Sequence, residues 1–282
     1  LVYAGSLVLL TSRASASAAE IFPAAVQDYG RGLIVGDKST FGKGTVQSVL
    51  ELNQYLPPAY RSYKPGALKL TVQKFYRVSG GSTQHRGVLP DIHLPSGGDL
   101  SESTESSQKN ALPYDEIEPA SYARVDAGRV AALARASAER GAASREFQWI
   151  REDLERWEQQ KKDKSLSLNE ARRLAESQAD MDRQTARKKE RALRKEKPLA
   201  FEEITLAFLD GKAPPVAVST VSARGHGTAP FRDDDEEDFE TAPDAPDATL
   251  EESLRIAADL ASVAAPTDAQ ASTPDPGRSV AR

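Results

Sequence analysis

Cysteine is absent from this chain of 282 residues, and histidine occurs only three times. The absence of cysteine excludes disulfides, thiol catalysis and cysteine-rich metal sites. The scarcity of histidine leaves His85 and His93 as the candidates for a Ser-His-Asp triad, and we interpret both as surface residues near a turn. The sequence also lacks any stretch of 18 apolar residues, so it predicts no transmembrane segment.

What the sequence does contain is a strand-helix-strand pattern near its start. The apolar run 6–11 predicts a buried strand, and residues 18–29 carry apolar positions at helical spacing. Gly30 then ends the predicted helix, because glycine readily adopts the conformation of a C-terminal cap. Residues 33–35 predict a second buried strand, so the pattern indicates a βαβ unit.

The geometry of a βαβ unit brings two distant residues together. Its helix runs antiparallel to both strands, so the loop before the helix and the loop after the second strand lie at the same edge of the sheet. Ser17 lies in the first loop and Lys43 in the second. Ser17 also lies at the helix N-terminus, where unpaired N–H groups favour developing negative charge. We therefore predict a serine nucleophile, a lysine base and an adjacent oxyanion site.

The residue types suit this chemistry. A serine hydroxyl needs a base within hydrogen-bond reach, and Ser–Lys pairs are a variant of the catalytic triad. The lysine has to be neutral, which burial favours. Lys43 stands between Gly42 and Gly44, with Phe41 beside it, which suits a tight and partly apolar site. The alternative is a solvated lysine in a glycine turn and a serine that only caps the helix.

Three motifs can be quoted from this region: Ser15-Ala-Ser-Ala-Ala-Glu20, Gln27-Asp-Tyr-Gly-Arg31 and Thr40-Phe-Gly-Lys-Gly-Thr-Val-Gln47. Together with the segment 75–92, they resemble the C-terminal processing peptidases, and among these the tail-specific proteases of Gram-negative bacteria. The lysine motif is specific, whereas Ser-Ala-Ser alone is weak. The chain departs from the family pattern by one extra residue within 37–40.

The resemblance implies a serine endopeptidase with a Ser–Lys dyad that cuts proteins bearing apolar C-termini and needs no metal or cofactor. The matching positions are Ser17 as nucleophile, Lys43 as base and Gln47 as the residue that positions the lysine. Ala18 N–H would supply one oxyanion donor. Asp28 matches a residue that activity requires in the closer relatives, but a full helix separates it from Ser17, so we expect a structural role.

The nucleophile is assigned by counting back from Glu20, which selects Ser17 over Ser15. By the same resemblance, a PDZ domain, the first half of the catalytic domain and a glycine with the second oxyanion N–H would lie upstream of residue 1. We therefore expect the 282-residue fragment alone to be inactive.

The resemblance also implies a periplasmic location and substrates that are unfolded or tail-marked proteins, with an adaptor protein as a possible partner. The alternative function is a non-catalytic scaffold whose helical region binds a partner protein. A close approach of Lys43 Nζ to Ser17 Oγ would favour the enzyme, and a solvent-directed Lys43 the scaffold.

Beyond the motifs, composition divides the chain. We predict the α/β fold class, with a βαβ-containing catalytic half-domain followed by a mostly helical C-terminal region. The predicted units are 1–96 as the C-terminal half of a peptidase domain, 97–110 as a polar linker, 111–212 as a helical domain, 213–247 as an acidic disordered linker, 248–263 as a terminal helix and 264–282 as a disordered tail.

Two kinds of pattern predict the helices of the C-terminal region. Four apolar residues at helical spacing predict one buried face, and they are Phe147, Ile150, Leu154 and Trp157. Capping boxes at 167–170 and 249–252 predict the starts of two further helices.

The run 183–197 holds eight basic residues. Such a run suits binding to nucleic acid or an acidic membrane, or a solvated helix face. Because aromatic residues that could stack on bases are missing, we predict the solvated face and no nucleic-acid partner.

Overall fold

The computed structural model describes residues 3–122, 130–163, 165–194, 201–203, 206–212, 216–218 and 247–263. Most of the predicted acidic linker and the whole of the predicted tail lie outside the described residues. The strands are β1 (Val8–Thr11), β2 (Leu33–Gly36), β3 (Thr45–Glu51), β4 (Ala67–Lys74), β5 (Ile92–His93), β6 (Phe201–Glu203) and β7 (Val216–Val218). The α-helices are α1 (Ala18–Asp28), α2 (Val130–Ala143), α3 (Arg145–Asp163), α4 (Glu170–Leu193), α5 (Leu206–Leu209) and α6 (Ala248–Val263). Short 3₁₀ helices occupy Leu52–Tyr55, Pro58–Tyr63, Gly97–Leu100 and Glu105–Ser107.

The predicted βαβ unit is confirmed. β1 and β2 are parallel, with Val8 opposite Leu33, and α1 connects them. β5 joins the other edge of β2, also in parallel. Gly30, at φ 62°, follows the helix in the left-handed region, as its sequence position predicted.

Both faces of this small sheet are covered, because successive strand residues point to opposite sides. On one side Ile34 packs with residues of α1 and with Val88. On the other side the apolar residues of the sheet pack against the C-terminal helices. That second core comprises Leu33, Val35, Ile92, Leu94, Leu133 of α2, Phe147 of α3 and Ile256 of α6. The helical region therefore completes the core of the sheet that carries the candidate site.

The hairpin β3–β4 is antiparallel, with a register shift between Val46 and Gln47. Leu68, Leu70 and Val72 alternate with polar residues along β4 and so share one face. Leu68 and Val72 are 47% and 52% exposed, so none of the described residues covers that face fully.

The predicted apolar face of α3 is partly wrong. Phe147 is buried as expected, but Trp157 is 50% exposed and Trp149, which the pattern did not include, is 4% exposed. Trp149 is buried because arginines of α3 and α4 lie close to its ring. The distances from guanidinium to ring centroid are 5.2 Å for Arg145, 5.4 Å for Arg187 and 4.9 Å for both Arg191 and Arg194.

The basic run is also not simply a solvated helix face. Arg187 forms an ion pair with Asp153 of α3, with 2.6 Å between Nη1 and Oδ2. Arg191 and Arg194 both pair with Glu146. These three arginines therefore join α4 to α3.

The two predicted capping boxes are wrong in register. α4 is capped by Asn169, whose Oδ1 accepts from Arg172 N at 3.0 Å. Asp247 caps α6, and its Oδ1 accepts from Leu250 N at 2.9 Å. In both cases a short Asx side chain near the predicted serine or threonine satisfies a free N–H of the first turn.

α6 is anchored to α2 by a buried carboxylate. Glu252 is 1% exposed, and Arg140 Nε donates to both of its oxygens, at 2.9 and 3.2 Å. Arg140→Met would remove the hydrogen-bond donor of this buried carboxylate and leave only the more distant Arg255, whose Nη1 lies 3.8 Å from Oε2. We expect a loss of about 3 kcal/mol in unfolding free energy, at the low end for a buried pair because Arg140 is partly exposed.

Urea denaturation of the protein measures this loss. Arg173→Met on α4 is the control, because Arg173 and its partner Glu176 are both exposed, and it should cost about 0.5 kcal/mol or less. Equal losses in the two variants would contradict the assignment of Arg140–Glu252 as the anchor.

Candidate functional site

Ser17 lies at the edge of the sheet where β1 ends and α1 begins. Its backbone has φ 56° and ψ −114°, a conformation that costs free energy in a residue with a side chain. Such strain concentrates at functional positions, where the surrounding structure holds it in place. Ala18 follows as the first helical residue, and its N–H has no hydrogen-bond partner among the described residues. An anion beside Ser17 could therefore accept from that N–H.

Residues 40–44, which we call the lysine loop, lie beside Ser17 and are fully hydrogen-bonded along the backbone. Every N–H and C=O group of the five residues has a partner within the structure. The partners are Arg13, Ser15, Glu20, Phe75, Thr83, Gln84, His85, Val88 and Glu105. The backbone on both sides of Lys43 is thus fixed.

The glycines flanking Lys43 allow this packing. Gly42 has φ 94°, in the region that favours glycine. A Cβ at Gly44 would lie 2.4 Å from Ser82 Oγ and 2.7 Å from Gln84 N. The lysine loop therefore approaches its neighbours more closely than a residue with a side chain would allow.

Glu20 connects the serine to the lysine loop. Its side chain is fully buried, and Oε2 accepts from Ser17 N and from Lys43 N, each at 2.8 Å. Oε1 accepts from Gly42 N at 2.7 Å and from the Thr40 hydroxyl. Burial raises the pKa of Glu20, and these four hydrogen bonds offset part of that effect. One carboxylate therefore sets the relative position of the two candidate catalytic residues.

The Lys43 side chain is half-buried and turns towards β3. Its Nζ donates to Gln47 Oε1 at 2.7 Å, and the positioning role of Gln47 stays a prediction. No hydrogen bond joins Lys43 Nζ to Ser17 Oγ among the described residues. The amine therefore has a side-chain partner, in a hydrogen bond that lies at the exposed surface.

Asp28 lies at the other end of α1. Its two oxygens accept from Arg77, at 3.0 Å from Nε and 2.5 Å from Nη2, and Oδ2 also accepts from Ser79 Oγ at 3.2 Å. The Asp28–Arg77 ion pair holds the C-terminal end of α1 against the segment that follows β4. The structure therefore brings Ser17, Ala18, Lys43 and Gln47 to one edge of the sheet and leaves Asp28 away from it.

Residues 97–116, which we call the strap, lie against the lysine loop and the residues that precede it. Composition predicted that 97–110 would be a linker, yet Glu105 N donates to Phe41 O at 3.1 Å and Lys38 N donates to Asp99 Oδ1 at 2.7 Å. Ser96 and Thr104 are buried. Serine and threonine side chains of this segment make local hydrogen bonds that order its backbone. A polar composition alone therefore does not distinguish an ordered segment from a free linker.

The start of the strap also forms a small network of ionisable groups. His93 Nε2 lies 2.7 Å from Asp99 Oδ2, and Ser96 Oγ donates to Asp37 Oδ1 at 2.5 Å. The hydrogen bond with Asp99 raises the pKa of His93. The pKa of Asp99 is lowered, because its hydrogen bonds from His93 and from the backbone outweigh the opposing effect of burial. This network holds the chain that leads from β2 into the lysine loop.

In the sequence, Glu20 served only to identify Ser17 as the nucleophile, and its structural role was not predicted. Gln84 and Arg13 were missed entirely, although both hold the lysine loop. The one available signal was a glutamate three residues after the helix cap, the position from which a side chain reaches back to the cap N–H. Nothing in the local sequence indicated the long-range contacts.

Among the residues that the structure describes, no helix combines the length and apolarity needed to cross a bilayer. No group of three or more histidine, aspartate or glutamate residues within the described ranges could hold a metal ion.

Two family models match successive parts of the chain. Residues 1–94 match the model of peptidase family S41, and residues 99–262 match the model of the C-terminal domain of tail specific protease (DUF3340). The chain is 41% identical over 217 residues to the tail-specific protease of Haemophilus influenzae, covering 75% of this chain and 31% of that protein.

Two further relatives match a shorter region. The carboxy-terminal-processing protease of Bartonella bacilliformis is 41% identical over 86 residues, which is 30% of this chain and 17% of that protein. A solved structure of a photosystem II D1 C-terminal processing protease is 35% identical, with a TM-score of 0.26, and the match covers 32% of this chain and 20% of that one. The chain thus spans less than a third of the length of each of these relatives.

The role of Glu20 can be tested by Glu20→Gln. The substitution keeps one acceptor oxygen and places an amide NH₂ against backbone N–H donors. We expect it to lower the unfolding free energy by about 1–3 kcal/mol, because buried donors lose their acceptor. Glu51→Gln, at an exposed glutamate of the same half of the chain, should cost less than about 0.5 kcal/mol in the same denaturation experiment. A Glu20→Gln protein as stable as the wild type would contradict the role assigned to the carboxylate.

The His93–Asp99 pair predicts a pH dependence of stability. Because the folded-state pKa of His93 is raised, its contribution is present below the ordinary histidine pKa and is lost as pH rises through the raised value. The lowered pKa of Asp99 means that its own contribution is lost only in acid. The Tm difference between wild type and Asp99→Asn should therefore be largest near about pH 5–6 and shrink towards about pH 9. A Tm difference that stays constant over this range would show that the pair contributes no charge-dependent stability.

Proposed function

This chain belongs to the tail-specific protease family of S41 peptidases, and from that premise we propose that the full-length protein is a serine endopeptidase with a Ser17–Lys43 dyad. The observation that carries the proposal is the shared oxygen of Glu20. It accepts from the N–H groups of both Ser17 and Lys43 and so brings a strained serine and a lysine to one site.

In the proposed reaction, neutral Lys43 takes the proton of Ser17 Oγ while Oγ attacks the scissile carbonyl carbon. The carbonyl oxygen becomes an oxyanion, which accepts a hydrogen bond from Ala18 N–H at the start of α1. Lys43 then returns the proton to the amine as the peptide bond breaks and an acyl-enzyme is left. Water cleaves this ester by the same route, with Lys43 again moving the proton.

Gln47 would act on the base and not on the substrate. Its Oε1 accepts a hydrogen bond from the Lys43 amine, which limits the rotamers that the long side chain can adopt. In the proposed reaction the amine would have to move from this position towards Ser17 Oγ. Contacts between catalytic groups are often long in a structure without substrate and shorten in the reactive complex.

Asp28, by contrast, would support the site through the fold. Its ion pair with Arg77 fixes the far end of α1, the helix whose first turn carries Ser17 and Ala18. We assign it no contact with the reacting groups.

The proposal extends to the substrates and the compartment. We infer that the full-length protein cleaves unfolded or tail-marked proteins with apolar C-termini and that it works in the periplasm. The support is the family membership of the chain and the names of its relatives, which describe tail-specific and C-terminal processing proteases.

One observation favours the second candidate, a non-catalytic scaffold. Lys43 Nζ is bonded to Gln47 and not to Ser17 Oγ. A scaffold would keep the fold and tolerate the loss of either candidate residue without any change in proteolysis.

Substitution of the dyad separates these functions. In the full-length protein, Ser17→Ala and Lys43→Arg should each lower cleavage of an unfolded protein with an apolar C-terminus by at least about 10³-fold. Arginine fails as a base because a guanidinium is not deprotonated at working pH. The rate of product formation and the far-ultraviolet circular dichroism spectrum are the measurements.

Two matched controls accompany them. Ser15→Ala removes a neighbouring hydroxyl, and Lys38→Arg makes the same exchange elsewhere on the approach to the lysine loop. Both should keep most of the activity. Normal turnover in Ser17→Ala or Lys43→Arg would remove the dyad from consideration.

A further inference from the structure

The strap holds the lysine loop directly on one side of Lys43 and through Gln84 on the other. Before it, Phe41 O accepts from Glu105 N at 3.1 Å. After it, Gly44 N donates to the side chain of Gln84, which in turn is held by the strap. Lys43 thus lies between two backbone groups whose partners depend on residues of the C-terminal region.

Gln84 is the connecting residue. Its side chain is fully buried, and Oε1 accepts from Gly44 N at 2.8 Å. Nε2 donates to Leu112 O at 2.8 Å and to Glu105 Oε1 at 3.1 Å. A primary amide offers one acceptor and two donor hydrogens, and here each of them has a partner. A buried amide with all its groups paired has a single favourable orientation. The position of the strap, which binds Gln84 Nε2, therefore determines where Gln84 Oε1 meets Gly44 N.

Glu105 contributes through two different groups. Its backbone N–H holds Phe41 O and its carboxylate accepts from Gln84. A shift of the strap would therefore release both sides of the lysine loop together. Displacement of a catalytic group by about 1 Å can lower a rate about 10²-fold.

We propose that Gln84 and Glu105 are positioning residues for Lys43, so that the strap of the C-terminal region is part of the device that aligns the dyad. This inference rests on the proposed function, in which Lys43 is the base. Neither residue touches the reacting atoms in this account, and each acts through the backbone of the lysine loop.

The chain provides a matched control for Gln84. Gln27 also uses its amide fully: Oε1 accepts from Arg77 Nη2 at 2.9 Å, and Nε2 donates to Leu89 O at 2.9 Å and Asp91 Oδ1 at 3.0 Å. Both amides thus meet one donor, one backbone carbonyl and one carboxylate. None of the partners of Gln27 belongs to the lysine loop.

The test measures kcat, KM and Tm for Gln84→Leu and Gln27→Leu in the full-length protein, with a peptide substrate that ends in apolar residues. Gln84→Leu should lower kcat by about tenfold or more, with KM within about twofold of the wild type. Gln27→Leu should lower Tm but leave kcat within about twofold. Wild-type kcat in Gln84→Leu, or equal losses of kcat in the two variants, would overturn the proposal.

A second pair of variants decides the matter if Gln84→Leu does not fold. Glu105→Gln keeps an oxygen that can accept from Gln84 and should retain kcat within about twofold. Glu105→Ala removes that acceptor and should lower kcat by about fivefold or more. Equal kcat values in the two Glu105 variants would overturn the proposal.

The failure of this inference is distinguishable from failure of the proposed function. If Lys43→Ala is inactive while Gln84→Leu and Glu105→Ala are fully active, the dyad stands and the positioning role is refuted. If Lys43→Ala keeps wild-type activity, the dyad itself is refuted and the positioning role with it.

Discussion

The candidate site depends on one buried carboxylate. A charge removed from water has to be met by donors or it becomes very costly, and the donors to Glu20 come from the two loops that meet at the edge of the sheet. Hydrogen bonds to an ionised group are also stronger than those between neutral groups. Separating Ser17 from the lysine loop would leave the carboxylate with too few donors. The buried charge therefore enforces the arrangement that the proposed chemistry requires.

The parts of the structure that rest on local pattern could be predicted from the sequence. The βαβ unit, the position of Ser17 at the start of α1 and the closeness of the loop that carries Lys43 all follow from strand and helix periodicity and from the geometry of a parallel crossover. The exposed face of β4 and the buried Trp149 could not be predicted in this way, because side-chain periodicity shows which residues share a face and not what covers it. The roles of Gln84, Glu105 and Arg13 depend on contacts between distant segments, for which a single sequence contains no local signal.

The C-terminal region contributes both to the core of the sheet and to the contacts of the lysine loop. Its helices contribute Leu133, Phe147 and Ile256 to the core beneath β2, while the strap lies against the lysine loop. A polar segment that composition assigns to a linker can thus be ordered by its own serine, threonine and aspartate side chains. The predicted boundary at residue 96 lies between the parts of the chain that match two different family models, yet residues of both parts pack into one hydrophobic core.

Amide hydrogen exchange at Gly42 and Lys43, measured at single-residue resolution on the folded protein, reports directly whether Glu20 holds the lysine loop. Both amides are bonded to the fully buried Glu20, so we expect protection comparable to that of Ile34 and Val35 in the core of β2. Rapid exchange of Gly42 and Lys43 in a protein whose β2 amides remain protected would show that Glu20 does not hold the lysine loop.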